Sequence, residues 1–171
     1  MKKYELTTET KVVYGHTLYR IRALVAFGNV DTGELGGWIE KESNLAQDGN
    51  AWVYGNAWVY GDAEVYGDAE VCGNARVYGD AWVYGDARVY GDARVYGNAA
   101  IMTISHIGPC FGTTTFFVLK NGKIGVQCGC FYGDIDEFAA KVEETHGNNQ
   151  HGRAYKLAIE LVKLRLQTRK E

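Results

Sequence analysis

From residue 49 onward the hydrophobic positions recur at every sixth residue. Val stands at 53, 59, 65, 71, 77, 83, 89 and 95, and Ile101 closes the series in the same phase. Ala precedes each of them by two positions, from Ala51 to Ala99, and Gly opens each unit, from Gly49 to Gly97. The phrase Gly-Asp/Asn-Ala-x-Val-Tyr thus repeats nine times without an insertion. A strand alternates every second residue and a helix every 3.6, so a period of six belongs to neither alone. It predicts a short strand, a corner, and the same again, which is a solenoid. Three such sides close a triangular circuit of about 18 residues. Val points into the tube, so its two neighbours, x and Tyr, point outward. Ala is the second inward residue, small because it lies near a corner. Gly-Asp or Gly-Asn makes the corner, where a positive φ is tolerated.

The flanks read differently. Residues 1–45 predict an N-terminal β cap: Lys11–Tyr14 and Thr17–Ala26 flank a turn at Gly15-His16, and Thr32-Gly33 and Gly36-Gly37 mark loops before Trp38-Ile39. A cap is needed because the open end of stacked strands exposes unpaired backbone groups. The solenoid is assigned to 46–102 and a C-terminal α+β module to 103–171. In that module Thr113–Leu119 and Lys123–Phe131 form a hairpin about Asn121-Gly122. Asp134-Ile-Asp-Glu137 reads as a capping box opening a helix to Thr145, and a second helix runs from Gly152 to Thr168. The polar stripe of that helix is narrow (Arg153, Lys156, Glu160, Lys163, Gln167). Tyr155, Leu157, Ile159, Leu161, Val162, Leu164 and Leu166 cover most of the rest, as expected of a helix buried on more than one side, and an oligomer contact accounts for this.

Stacking residues one circuit apart sorts the outward positions into three faces. The first carries Trp52, Glu70 and Arg88 beside Tyr54, Cys72 and Tyr90, and Glu70 and Arg88 are placed to pair. The second carries Trp58, Arg76 and Arg94 beside Tyr60, Tyr78 and Tyr96. The third carries Glu64, Trp82 and Ala100 beside Tyr66, Tyr84 and Met102. The second face has no carboxylate at these positions. Its two Arg repel each other unless an anion lies between them, Arg forks suit phosphate, and aromatic faces suit bases. Three readings of this face stay open: simple cross-strand packing, a subunit contact, and a ligand surface for a small anionic, nucleotide-like molecule.

Composition narrows the rest. The chain has 171 residues and a formal net charge of −3, so no global basic field argues for nucleic acid. No apolar run approaches a membrane span and no signal peptide is evident, so a cytoplasmic protein without membrane contact is expected. The four Cys are expected as free thiols. Cys128 and Cys130, on one face of a strand, with Cys110 and either His106 or His146, are weak metal candidates beside simple buried packing. The densest polar cluster is His146, Asn149, His151, Arg153 and Tyr155. It joins the two helices and reads either as an anion site at a helix start or as a capped turn.

The hexad, with Val and then Ala four residues later, resembles the left-handed parallel β-helix of the hexapeptide-repeat family. The Tyr after each Val departs from that family's usual pattern. The left hand is implied by this resemblance alone. Leu24-Val-Ala, Gly36-Gly37-Trp38-Ile39 and Gly49–Tyr54 are similar to the start of acyltransferase-like bacterial members. Cys128–Phe131, Glu137-Phe138, His146-Gly-x-Asn149 and His151-Gly-Arg153-x-Tyr155 are similar to the tail of uncharacterised phage and prophage proteins. The first resemblance implies an enzyme using acyl-CoA, with a His as general base. No His lies between His16 and His106 and no loop interrupts the coils, so His106 is its one candidate base. The second brings no established activity. The Arg/Tyr/Trp face and the His-rich turn motivate the rival expectation, a non-catalytic, cofactor-free binder, which a phage-type tail would place in the cytoplasm of a phage host. It would be a homotrimer by the fold resemblance and would capture a small anionic ligand, such as a host immune nucleotide signal, or a host protein. A structural scaffold is the third alternative.

Overall fold

The computed structural model describes residues 1–97 and 100–166. Ala99, expected in the repeat, and Gln167 and Thr168, expected in the last helix, lie outside the described residues.

Eight two-residue strands make the coil: β4 (Trp52–Val53), β5 (Trp58–Val59), β6 (Glu64–Val65), β7 (Glu70–Val71), β8 (Arg76–Val77), β9 (Trp82–Val83), β10 (Arg88–Val89) and β11 (Arg94–Val95). Each pairs in parallel with the strand one circuit on, Trp52 with Glu70 and Glu70 with Arg88, Trp58 with Arg76 and Arg76 with Arg94, Glu64 with Trp82. This is the three-walled β-solenoid that the period of six predicts. The lumen is dry: every Val from Val53 to Val95 and every Ala from Ala51 to Ala93 is at most 1% exposed. Burying each Val is worth about 1.5–3 kcal/mol. Ion pairing on the first wall is as expected, Glu70 to Arg88 at 3.5 Å.

Each open end is closed by backbone pairing and an apolar plug. At the start, β1 (Tyr4–Val13) and β2 (His16–Ala23) form a hairpin whose turn is Tyr14-Gly15, both at positive φ, and not Gly15-His16. β2 pairs with β3 (Leu35–Ile39), which adds to the second wall in front of β5. Carbonyls of the first circuit are taken up by the cap: Ala57 by the Trp38 N–H, Val65 by the Ala46 N–H, and Ala51 by the Lys3 ammonium at 3.0 Å. Trp52, expected on the surface, is fully buried because Tyr4 and Phe27 pack edge-on against it.

At the other end the chain passes from the coil into an antiparallel sheet. Ile101 packs against the solenoid core, and Ile101 and Met102 line a cleft with Trp82 and Tyr84. They begin β12 (Ile101–Ile107), which pairs with β13 (Gly112–Val118). Among the described residues the third wall has two paired strands, β6 and β9. β14 (Ile124–Cys128) and β15 (Phe131–Asp134) complete an antiparallel sheet. The single strand expected over Lys123–Phe131 is split by a two-residue turn at Gly129-Cys130, with Gly129 at φ +55°. Alternation along β13 sends Phe117 into the end of the solenoid lumen and Phe116 to the opposite face. The helices α1 (Ile135–His146) and α2 (Gln150–Arg165) pack on that opposite face. Asp134 caps α1 through the Asp136 and Glu137 N–H groups, closing the expected capping box. No described helix is long and apolar enough to cross a membrane.

Candidate functional site

The second wall brings together the six residues that the column argument assigned to it, but it is not bare. The N-terminal hairpin lies across it. Leu18, Trp38 and Tyr60 form a small buried cluster, with Val13, Trp58 and Tyr78 packed around it. Tyr60 and Tyr78 stack at 5.2 Å, and Tyr96 follows at 6.3 Å with its ring tilted by 46°. Tyr60 is thus a packing residue, while Trp58, Arg76, Tyr78, Arg94 and Tyr96 stay partly open.

Above this wall cations and aromatic rings alternate. The Arg20 guanidinium lies 5.3 Å from the Trp38 ring, the Lys11 ammonium lies 4.0 Å from Trp38 and 4.4 Å from Trp58, and Arg76 lies 4.0 Å from Trp58. Each contact is worth about 0.5–2 kcal/mol, the more so where water is excluded. Arg76 also donates to the Tyr14 hydroxyl at 2.9 Å, so the hairpin tip is held two coils below its own sheet strand. Burial pushes the Lys11 ammonium down to about 8, and the positive Arg20 and Arg76 push the same way.

Three adjoining clefts open along this strip, of about 780, 420 and 380 Å³, and Arg94 and Lys120 line all of them. Lys120 arrives from the turn after β13. That turn docks on the coil through the Ala93–Leu119 bridge and the Lys120 N–H to the Asp92 carbonyl. The clefts collect Lys11, Arg76, Arg94 and Lys120, with Asp92 as the carboxylate among the described lining residues. Arg94 Nη1 and Trp58 Nε1 are closed off from solvent without a hydrogen-bond partner. Sequence columns found the solenoid half of this site and missed Lys11, Tyr14 and Lys120. No local signal marks these three, because they reach the wall only through tertiary docking of two hairpins.

The other sequence-predicted cluster lies elsewhere and looks structural. His146 stacks on Tyr155 at 5.8 Å and lies 5.9 Å from His151. Asn149 caps α2 by accepting from the Gly152 N–H, Gly147 ends α1, and Tyr155 is buried in the helix–sheet core. Arg153 is exposed. The arrangement forms a capped turn between α1 and α2.

The cysteines are free, as expected, but Cys128 ends β14 and Cys130 lies in the turn that follows, so the two do not share one strand face. Cys128 accepts from the Thr114 hydroxyl at 3.1 Å, Cys110 and Cys130 are exposed, and among the described residues no group of three His, Cys, Asp or Glu side chains is placed to hold a metal. His106 is exposed at a break in β12 pairing, with φ +59°.

Comparison with known proteins reaches the solenoid. Residues 69–85 and 87–101 match the family described as YdcK Beta solenoid repeat. A 62-residue stretch, 32% of this chain, is 37% identical to the protein named Uncharacterized acetyltransferase YdcK of Escherichia coli (strain K12), and that stretch spans 19% of the E. coli protein. Residues 69–85 and 87–101 are thus similar to the β-solenoid repeat of that family, and this stretch displays Arg76, Tyr78, Arg94 and Tyr96 in the cleft.

Proposed function

We propose that the basic cleft captures a small anionic, nucleotide-like ligand without transforming it. Phosphate-type groups sit on Arg76, Arg94 and Lys120, and a planar ring lies against Tyr78 and Tyr96. The observation that carries this reading is the pair of shielded, unsatisfied donors, Arg94 Nη1 and Trp58 Nε1, in a cleft with four cations. A buried donor without an acceptor costs about 1–3 kcal/mol, and an anion removes that cost while relieving the repulsion between Arg76 and Arg94 in successive coils. Charge-assisted bonds to guanidinium forks supply affinity, and base–aromatic stacking adds about 1–3 kcal/mol per base.

Calorimetry with pyrophosphate, ATP, cyclic dinucleotides and ADP-ribose tests it. At least one nucleotide binds the wild type and is recovered unchanged, and Arg94→Ala weakens binding by about tenfold or more, as expected for loss of a charged hydrogen bond. No heat with any of these ligands, or equal affinity in Arg76→Ala and Arg94→Ala, overturns the reading.

A second reading, acyl transfer from acyl-CoA, is favoured by the name of the E. coli relative. His106 is its candidate base, and transfer from acetyl-CoA that disappears in His106→Ala is the outcome that selects it over capture.

A further inference from the structure

We infer that α2 carries a second interface, for further copies of this chain packed in parallel about a rotation axis. α2 buries Tyr155, Ala158, Ile159 and Val162 against the sheet. Its far side nevertheless exposes Leu157, Leu161 and Leu164 at 66%, 45% and 80%. With Ala154 these leucines follow the three-then-four spacing of a coiled-coil seam, Ala154 and Leu161 at position a, Leu157 and Leu164 at position d.

The charges around the helix sort into two sets. Those toward α1 are paired within the chain, Lys163 with Asp136 at 3.0 Å and Lys156 with Glu143 at 2.6 Å, which also fixes the two helices as antiparallel. Those flanking the leucine ridge, Arg153, Glu160 and Arg165, are exposed and make no ion pair among the described residues. Glu160 falls at position g and Arg165 at position e of the following heptad. Across a parallel seam those two positions meet, so each copy's Glu160 faces Arg165 of the next. Arg153, also at g, is matched at position e by Ala158, which is buried against the sheet, so no like charges oppose each other. On one helix Glu160 and Arg165 point to opposite flanks of the ridge and do not reach each other. Their complementarity is therefore realised between chains. The apolar ridge supplies the association, and the charged pair selects the parallel direction.

Sedimentation of the full chain over a range of concentrations tests this, and it is independent of the ligand proposal because the ridge residues do not line the cleft. The wild type sediments at two or three times its 19.0 kDa chain mass. Leu161→Glu gives a monomer that keeps the wild-type circular dichroism spectrum, because the side chain it replaces lies outside the chain's own core. Glu160→Lys also dissociates the assembly by setting Lys against Arg, and Glu160→Lys/Arg165→Glu together restore it. A wild type that stays monomeric throughout, an assembly indifferent to Leu161→Glu, or a double exchange that does not restore association overturns the inference.

Discussion

Lys11 is held where burial and two neighbouring guanidinium groups all disfavour its charge, and the Glu9 carboxylate and the faces of Trp38 and Trp58 offset them only in part. Its ammonium therefore titrates near 8 rather than in the usual lysine range. Protonated Lys11 attracts an anion and neutral Lys11 does not, so affinity for the proposed ligand falls as pH rises through about 8. Affinity measured from pH 7 to 9 shows this decline in the wild type, and Lys11→Met flattens it. Stability moves the other way. The unfolded lysine keeps its proton to a higher pH than the folded one, so the Lys11 contribution to stability grows with pH from about 8 to the unfolded value near 10.5. The opposite signs let one titration series separate loss of binding from loss of fold. Lys3 acts at the coil start in a different way. Lys3→Met leaves the Ala51 carbonyl without its ammonium donor, and the unfolding free energy drops by about 1–3 kcal/mol in denaturant titration.

At the level of the element, a hexad works because its corner is glycine and its neighbour one circuit on is close. Gly73 has φ +74°, and a methyl there would lie 2.9 Å from the Gly91 nitrogen. Gly85 has φ +62° with no atom within 4 Å of an added methyl. Both substitutions to Ala incur the left-handed backbone cost of about 1–2 kcal/mol. Only Gly73→Ala adds a backbone clash, so Gly73→Ala lowers the unfolding temperature more than Gly85→Ala. The same regularity explains what the sequence made legible. Six-residue spacing in Val and Ala gives strands, lumen and the stacking of Trp58, Arg76 and Arg94, since each follows from counting along one chain. Asp134 and Glu137 announce the start of α1 for a similarly local reason. What is settled by docking is not legible. Trp52 reads as a surface residue until Tyr4 and Phe27 cover it, and Phe131 reads as strand-continuous until Gly129 turns the chain. Lys11 and Lys120 enter the site from hairpins whose landing place no periodicity records.

Over the whole molecule the solenoid is a one-dimensional stack, and its stability depends on the two ends being shut. Phe117 shuts the C-terminal end from a strand that belongs to another sheet, and the Thr115 hydroxyl accepts from the Arg88 N–H at 3.0 Å beside it. Phe117→Ala opens a cavity of the kind that costs about 3–5 kcal/mol. Because the module is attached through that plug, hydrogen exchange should speed first in the last circuit, at the amides of Val89 and Val95, and last at Val59. Uniform acceleration along the coil would show instead that the stack melts as one body.

One consequence of the stack concerns length. The hairpin bearing Lys11 and Tyr14 grips the wall from one end, and the turn bearing Lys120 grips it from the other, like the jaws of a calliper. Splicing in one full circuit between Arg76 and Arg94 leaves every wall its own side chains while parting the jaws by one storey, about 4.8 Å. Splicing in a single hexad instead rotates Arg94 onto the neighbouring wall and dismantles the grip. The gauge of this protein is therefore written in whole storeys, and relatives gripping longer guests would differ by complete floors rather than by fractions of one.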